Sequence, residues 1–225
     1  MAFKLNNPYS LESPTYMIAN TLASTAVAGS SEYNGIALYF TPLGTQRGLL
    51  PAMQYYKLET GGWVGQNSTA AQGFFGGSNP AGLGVSLNGN TIYEFESLYY
   101  LVKTVGATSH TVALAYGGTA ILNNINYMPT YAYSGSSSVT PANGAAANWI
   151  TTASSTVFTA AIASATQYIW VVVKGTVSTS VGGTFIPQYQ LSAAPGGAYT
   201  TQVGSYFKIW PVNFAGSNTS IGTWA

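Results

Sequence analysis

Cysteine is absent from this chain, which removes disulfides and thiolate metal sites and leaves the redox compartment open. Aspartate is absent too, and Glu12, Glu32, Glu59, Glu94 and Glu96 are the only acids. Histidine occurs once, at His110. With one imidazole and no Asp or Cys, a closed zinc site cannot be assembled and a calcium cage lacks its usual carboxylates. No metal or cofactor is therefore expected. Charged residues make up 5% of the chain, where globular domains average roughly 25%. The six Lys and Arg give a net charge of +1 and form no basic stripe. The phosphate attraction that drives nucleic-acid binding is missing, so no RNA or DNA partner is expected. No apolar run approaches the roughly 20 residues of a membrane-spanning helix, and no membrane partner is expected.

What remains is a chain of 225 residues with 17 Tyr, nine Phe and five Trp. The length suits one large β domain or two small ones and leaves enough chain for a real core. A surface short of charge must be built from Ser, Thr, Asn, Gln, Gly and Tyr. Such a surface repels its neighbours weakly and suits lasting contact with them. Tyr and Trp are enriched in protein interfaces and also form sugar-binding platforms.

Apolar alternation with a period of two recurs along the chain, and no convincing helical period does. Strands are predicted near residues 36–41, 53–58, 91–103, 111–116, 121–127, 156–163 and 167–177, and in a final pair. In that pair Phe185, Pro187, Tyr189 and Leu191 share one face, while Phe207 and Ile209 oppose Tyr206, Lys208 and Trp210. Asn88-Gly89-Asn90 predicts a tight hairpin, and Gly106 to Ser109 a second turn joining 91–103 to 111–116 as a long hairpin. The run Tyr168-Ile169-Trp170-Val171-Val172-Val173 predicts a central strand covered on both faces. The expectation is an all-β fold, an antiparallel β-sandwich of jelly-roll type with about nine strands. Residues 1–34 lack periodicity and are expected to form an extended arm on a domain spanning 35–225.

Few residues carry candidate chemistry. Glu94 and Glu96 share one strand face roughly 6.5 Å apart, within glycosidase range. Carboxylates so placed more often pair across a sheet, here with Lys103 or Lys174, and that structural reading is the stronger. His110 has no evident nucleophile and suits an ordinary cross-strand hydrogen bond, so no catalytic residues are assigned. The Gly-rich stretch 61–84 is long for a loop, which argues for function or for packing under a sheet. The candidate interface or glycan-contact residues are Trp63, Phe74, Phe75, Tyr99, Tyr100 and Trp149.

Several segments resemble virion structural proteins of tailed bacteriophages, particularly marine and cyanobacterial ones. They are Leu50-Pro51-Ala52-Met53-Gln54-Tyr55-Tyr56, Thr91-Ile92-Tyr93-Glu94-Phe95-Glu96, Ala107-Thr108-Ser109-His110-Thr111, Gly183-Thr184-Phe185-Ile186-Pro187-Gln188-Tyr189 and Thr219-Ser220-Ile221-Gly222-Thr223-Trp224-Ala225. The resemblance implies a β-rich module on the outer surface of a phage particle, in decoration or fibre proteins. These segments are not catalytic signatures, so a non-enzymatic structural module is expected, and the absence of a coiled-coil or collagen-like shaft favours a compact protein seated on the head. Its expected partners are copies of itself, most plausibly in a trimer, and the major capsid protein or other virion proteins. A tail fibre or spike domain that recognises host surface glycans is the alternative.

Overall fold

The computed structural model describes residues 21–76, 82–135, 146–147 and 149–224, with backbone alone for 146–147. No helix occurs among them, and every strand pairing is antiparallel. The chain divides into two compact units, one drawn from residues up to Leu50 and from 221 onward, the other spanning Pro51–Ser220.

In the first unit β1 (Ser31–Tyr33), β2 (Leu38–Phe40) and β3 (Gly48–Leu50) form a small meander. Residues 31–33, expected in an extended arm, are thus hydrogen-bonded strand, while residues 1–20 of that arm lie outside the described residues. The reason is electrostatic, so apolar alternation does not announce it. Glu32 is buried, accepts from the Ala23 N–H at 2.8 Å, and takes Arg47 Nε and Nη2 at 2.7 and 3.0 Å. The Arg47 hydrogen bond holds its carboxyl below the ordinary range. Asn34 sets the turn between β1 and β2, its Oδ1 accepting from the N–H groups of Ile36 and Ala37.

The second unit contains β4 (Gln54–Lys57), β5 (Trp63–Val64), β6 (Gln72–Gly73), β7 (Val85–Leu87), β8 (Thr91–Lys103), β9 (Val112–Gly117) and β10 (Ile121–Ser134). It continues with β11 (Ala146–Ala147), β12 (Thr156–Val157), β13 (Gln167–Val181), β14 (Gly183–Leu191), β15 (Thr200–Thr201) and β16 (Tyr206–Phe214). One sheet runs β11-β10-β13-β8, and the far edge of β8 is shared by β16, itself paired with β4, and by β15, paired with β5. The other sheet runs β12-β9-β14, and the free edge of β14 is shared by β6 and β7.

Both predicted hairpins are corners between sheets. The turn at 88–90 joins β7, which pairs with β14, to β8, which pairs with β13 and β16. Likewise β8 and β9 lie in different sheets, as do β14 and β16. Alternation fixes which face of a strand is buried and leaves the neighbour undetermined. At the first corner two chain segments pass so closely that only glycine fits. A Cβ on Gly182 would sit 2.8 Å from the Leu87 carbonyl oxygen and 2.9 Å from the Gly89 nitrogen.

The inner faces of the two sheets meet in one aromatic core. Phe95 of β8 lies against Tyr116 of β9 at 5.4 Å between ring centroids and against Phe185 of β14 at 6.0 Å; Phe185 stacks on Tyr116 at 4.8 Å. The alternation read from the sequence holds here: Phe185, Pro187, Tyr189 and Leu191 are buried, as are Phe207 and Ile209. At one end of this core Lys103 is 1% exposed. Its ammonium donates to the carbonyls of Val105, Gly106, Ser164 and Ala165, tying two loops together. Burial pushes its pKa down.

Candidate functional site

The outer face of the larger sheet is a set of straight cross-strand rows, because β10, β13, β8 and β16 run in continuous register over its centre. Side chains alternate across a strand, so each row consists of residues at matched outward positions. One row reads Trp210, Glu94, Thr176, Asn126 from β16 to β10. The next reads Lys208, Glu96, Lys174, Met128, and the one after it Tyr206, Leu98, Val172, Thr130. Beyond them Tyr100, Trp170 and Ala132 align, then Val102, Tyr168 and Ser134.

These rows divide the face into two regions. At the Lys103 end it is aromatic and flat. Tyr100 stacks on Trp170 at 4.1 Å and 14°, with Tyr168 6.3 Å from Tyr100. Trp170 is 37% and Val172 40% exposed. The central strand predicted to be covered on both faces is therefore, among the described residues, covered on the inner face and partly exposed on the outer one.

At the opposite end the face sinks into an open basin of about 390 Å³ lined by Glu94, Glu96, Asn126, Met128, Trp149, Lys174, Thr176 and Trp210. Trp210 forms one side. Trp149, 71% exposed, stands on the other, held by its neighbour Ile150, whose N–H and C=O both bond Tyr127 of β10 at 2.9 Å. Between them lie the shorter side chains of Glu94, Thr176 and Asn126. The floor is supported from below by Phe95 and Gly175; a Cβ on Gly175 would meet Asn126 O and Tyr127 Cβ at 2.5 Å and the Phe95 ring at 2.7 Å.

Charge in the basin is nearly cancelled, with one exception. Glu96 receives Lys208 at 2.7 Å and Lys174 at 3.4 Å. The Lys208 hydrogen bond, helped by Lys174, lowers its pKa, and the same bond raises that of Lys208. Glu94, exposed, forms no ion pair among the described residues. Glu94 and Thr176 also border a second hollow of about 710 Å³, whose lining includes Asn123, Asn124, Ser178, Asn218 and Thr219. The two hollows adjoin across Glu94 and Thr176, and together are termed the trough. Both of its flanking strands break register beside it, β10 between Ile121 and Asn124 and β16 between Pro211 and Asn213. Such bulges re-aim side chains and recur beside binding sites.

The structure separates the residues singled out from sequence. Phe74, Phe75 and Tyr99 are interior, at 0%, 2% and 0% exposure, so a surface contact role for them is corrected. Their reason for being aromatic is mutual packing, since Phe74 stacks on Tyr99 at 3.6 Å and 6° and lies 5.3 Å from Tyr189. Trp63 is half-buried, its ring 3.5 Å from where a Cβ on Gly76 would stand. Tyr100 and Trp149 reach the outer face, in different regions. Glu96 pairs with Lys174 as the strand pattern suggested, whereas Lys103 points inward to its four carbonyls.

His110 is 1% exposed inside a closed polar relay. Its Nδ1 lies 2.7 Å from the Thr108 carbonyl oxygen, its Nε2 2.7 Å from the Tyr199 hydroxyl, and that hydroxyl contacts Gln167 Oε1. Burial lowers its pKa. No serine or threonine hydroxyl is within hydrogen-bonding distance of the ring among the described residues, so the geometry offers a structural tie.

The sequence reading missed Trp210, Thr176 and Asn126. The available signal was Trp210 itself, an aromatic on the polar phase of a strand whose other phase is Phe207 and Ile209. Compared with protein-family models, curated proteins and solved structures, the chain finds no match.

Proposed function

We propose that this chain is a non-enzymatic structural protein of a tailed-phage particle, a jelly-roll module that decorates or cements the capsid as a homo-oligomer, with a trimer favoured. The observation that carries the reading is the partly exposed aromatic end of the larger sheet, where Tyr100, Tyr168, Trp170 and Val172 lie side by side on an outer face. Aromatic side chains that are large, rigid and already stacked lose little freedom on docking, and residues of this kind dominate interface energetics. A second copy of this chain is the occupant best matched to the patch, because a net charge of +1 sets up almost no repulsion between copies. The segments that resemble phage virion proteins supply the setting. The sheet connectivity supports the jelly-roll assignment, since the chain changes sheet at each of the corners β7 to β8, β8 to β9, β9 to β10 and β13 to β14.

The test is the mass of the purified chain by sedimentation equilibrium, with and without Trp170→Lys. A trimer is expected for the parent chain, and a charge buried in the contact weakens it by about 2 kcal/mol or more, enough to give monomer at micromolar concentration. A parent chain that is monomeric throughout, or a variant that associates unchanged, overturns the reading of this face. Immunogold labelling of phage particles then separates gold over the heads, as decoration requires, from gold confined to the tail, as a receptor-binding fibre requires.

A further inference from the structure

The trough at the other end of the same face has a different chemistry, and it lies outside the patch assigned to assembly. We infer that it is a binding site for a neutral oligosaccharide, with Trp210 and Trp149 as stacking surfaces and Glu94, Asn126 and Thr176 as hydroxyl partners. The apolar face of a sugar ring packs on an indole, and its rim of hydroxyls both donates and accepts. A site for it therefore needs exposed aromatic planes beside neutral polar groups that do the same. The basin supplies the aromatic planes together with the amide of Asn126 and the hydroxyl of Thr176, which donate and accept, and the carboxylate of Glu94, which accepts only. Two tryptophans rise on either side of a row of short polar side chains, and the adjoining hollow adds the amide of Asn218. The volumes of about 390 and 710 Å³ lie in the range of small-molecule sites, and two adjoining open hollows suit a chain of sugars. From β16 to β10 the row spans three strand spacings, about 14 Å, before Trp149 is reached.

Charge selects the class of sugar. Lys174 and Lys208 are engaged by Glu96, leaving Glu94 as the central carboxylate without a cation among the described residues. Glu94 accepts hydroxyl protons readily and repels uronic acids, sialic acids and sulfated sugars. Catalysis is not implied, because Glu96 is held ionised by two lysines and offers no proton to a leaving group.

The experiment titrates the full chain with malto-, cello-, xylo-, manno- and chito-hexaose, following tryptophan fluorescence and calorimetry, with oligogalacturonate as the anionic comparison. At least one neutral hexaose is expected to bind. Trp149→Ala, at an exposed position that cannot unfold the core, and Trp210→Phe should each weaken it about three- to tenfold. Trp170→Ala, in the assembly patch, should leave it unchanged. Failure of all five neutral oligomers overturns the site, as does binding that survives both tryptophan variants. Tighter binding of oligogalacturonate than of any neutral oligomer overturns the assignment of sugar class. These outcomes are independent of the mass measurement, so either proposal can fail alone.

Discussion

The two ends of the larger sheet's outer face are made from the same strands in the same register, yet one is a flat aromatic plate and the other a polar trough. Backbone geometry is common to both. The difference comes from which side chains occupy matched outward positions, and from what supports the sheet beneath them. Under the plate Lys103 draws two loops in by their carbonyls; under the trough Gly175 leaves room for the Phe95 ring to close against β10 and β13. A sheet face can thus present two surfaces of different chemistry without any change of topology, provided each end has its own support from below.

That comparison can be broken from underneath. Gly175→Val should have the largest effect, since its new atoms start 2.5 Å from backbone oxygen and the Tyr127 Cβ. It should destabilise the fold by about 3 kcal/mol and abolish oligosaccharide binding, as read by urea denaturation and titration. Lys103→Met should follow at about 2 kcal/mol, because four loop carbonyls lose the buried ammonium that is their common donor. Its injury should fall on the plate end, so self-association weakens while hexaose affinity persists. Tyr116→Phe sharpens the contrast from the core between the two ends. The Tyr116 hydroxyl is buried with no hydrogen-bond partner among the described residues, so its removal should leave stability unchanged or raise it by about 1 kcal/mol. The smallest effect is acid sensitivity at the trough. Glu96 has its folded-state pKa lowered by Lys208 and Lys174, so its stabilisation is present at neutral pH and is lost as pH falls through that lowered value, below the ordinary 4.5. The loss should stay below about 1 kcal/mol for this partly exposed group, and Glu96→Gln should flatten that part of the pH profile.

Much of the fold could be read from the chain because alternation is a local property. The buried phase of the strands carrying Phe95, Tyr189 and Ile209 follows from their own sequences. Pairing is not local, which is why the Asn88-Gly89-Asn90 turn, with Asn90 at φ 52°, looked like a hairpin while serving as a corner. The trough was hidden for the same reason. Asn126, Thr176 and Trp210 come from three distant segments, and only the shared register with Glu94 brings them into one row. In the aromatic Gly-rich stretch the packing reading holds for Phe74 and Phe75, which are core, and their alternative as contact residues does not.

The long ladder between β8 and β13 also bears on how the protein is made. Thr91 pairs with Thr179 and Lys103 with Gln167, so β8 leaves the ribosome well before the last β13 residue it must bond to. At about 5–20 residues per second the wait is roughly 4–15 seconds. Throughout it, a thirteen-residue strand carrying Tyr93, Phe95, Tyr99, Tyr100 and Leu101 has both edges unpaired. Neighbouring nascent chains on one messenger present the same strand at the same moment, and overexpression in a heterologous host should favour inclusion bodies that slower translation relieves.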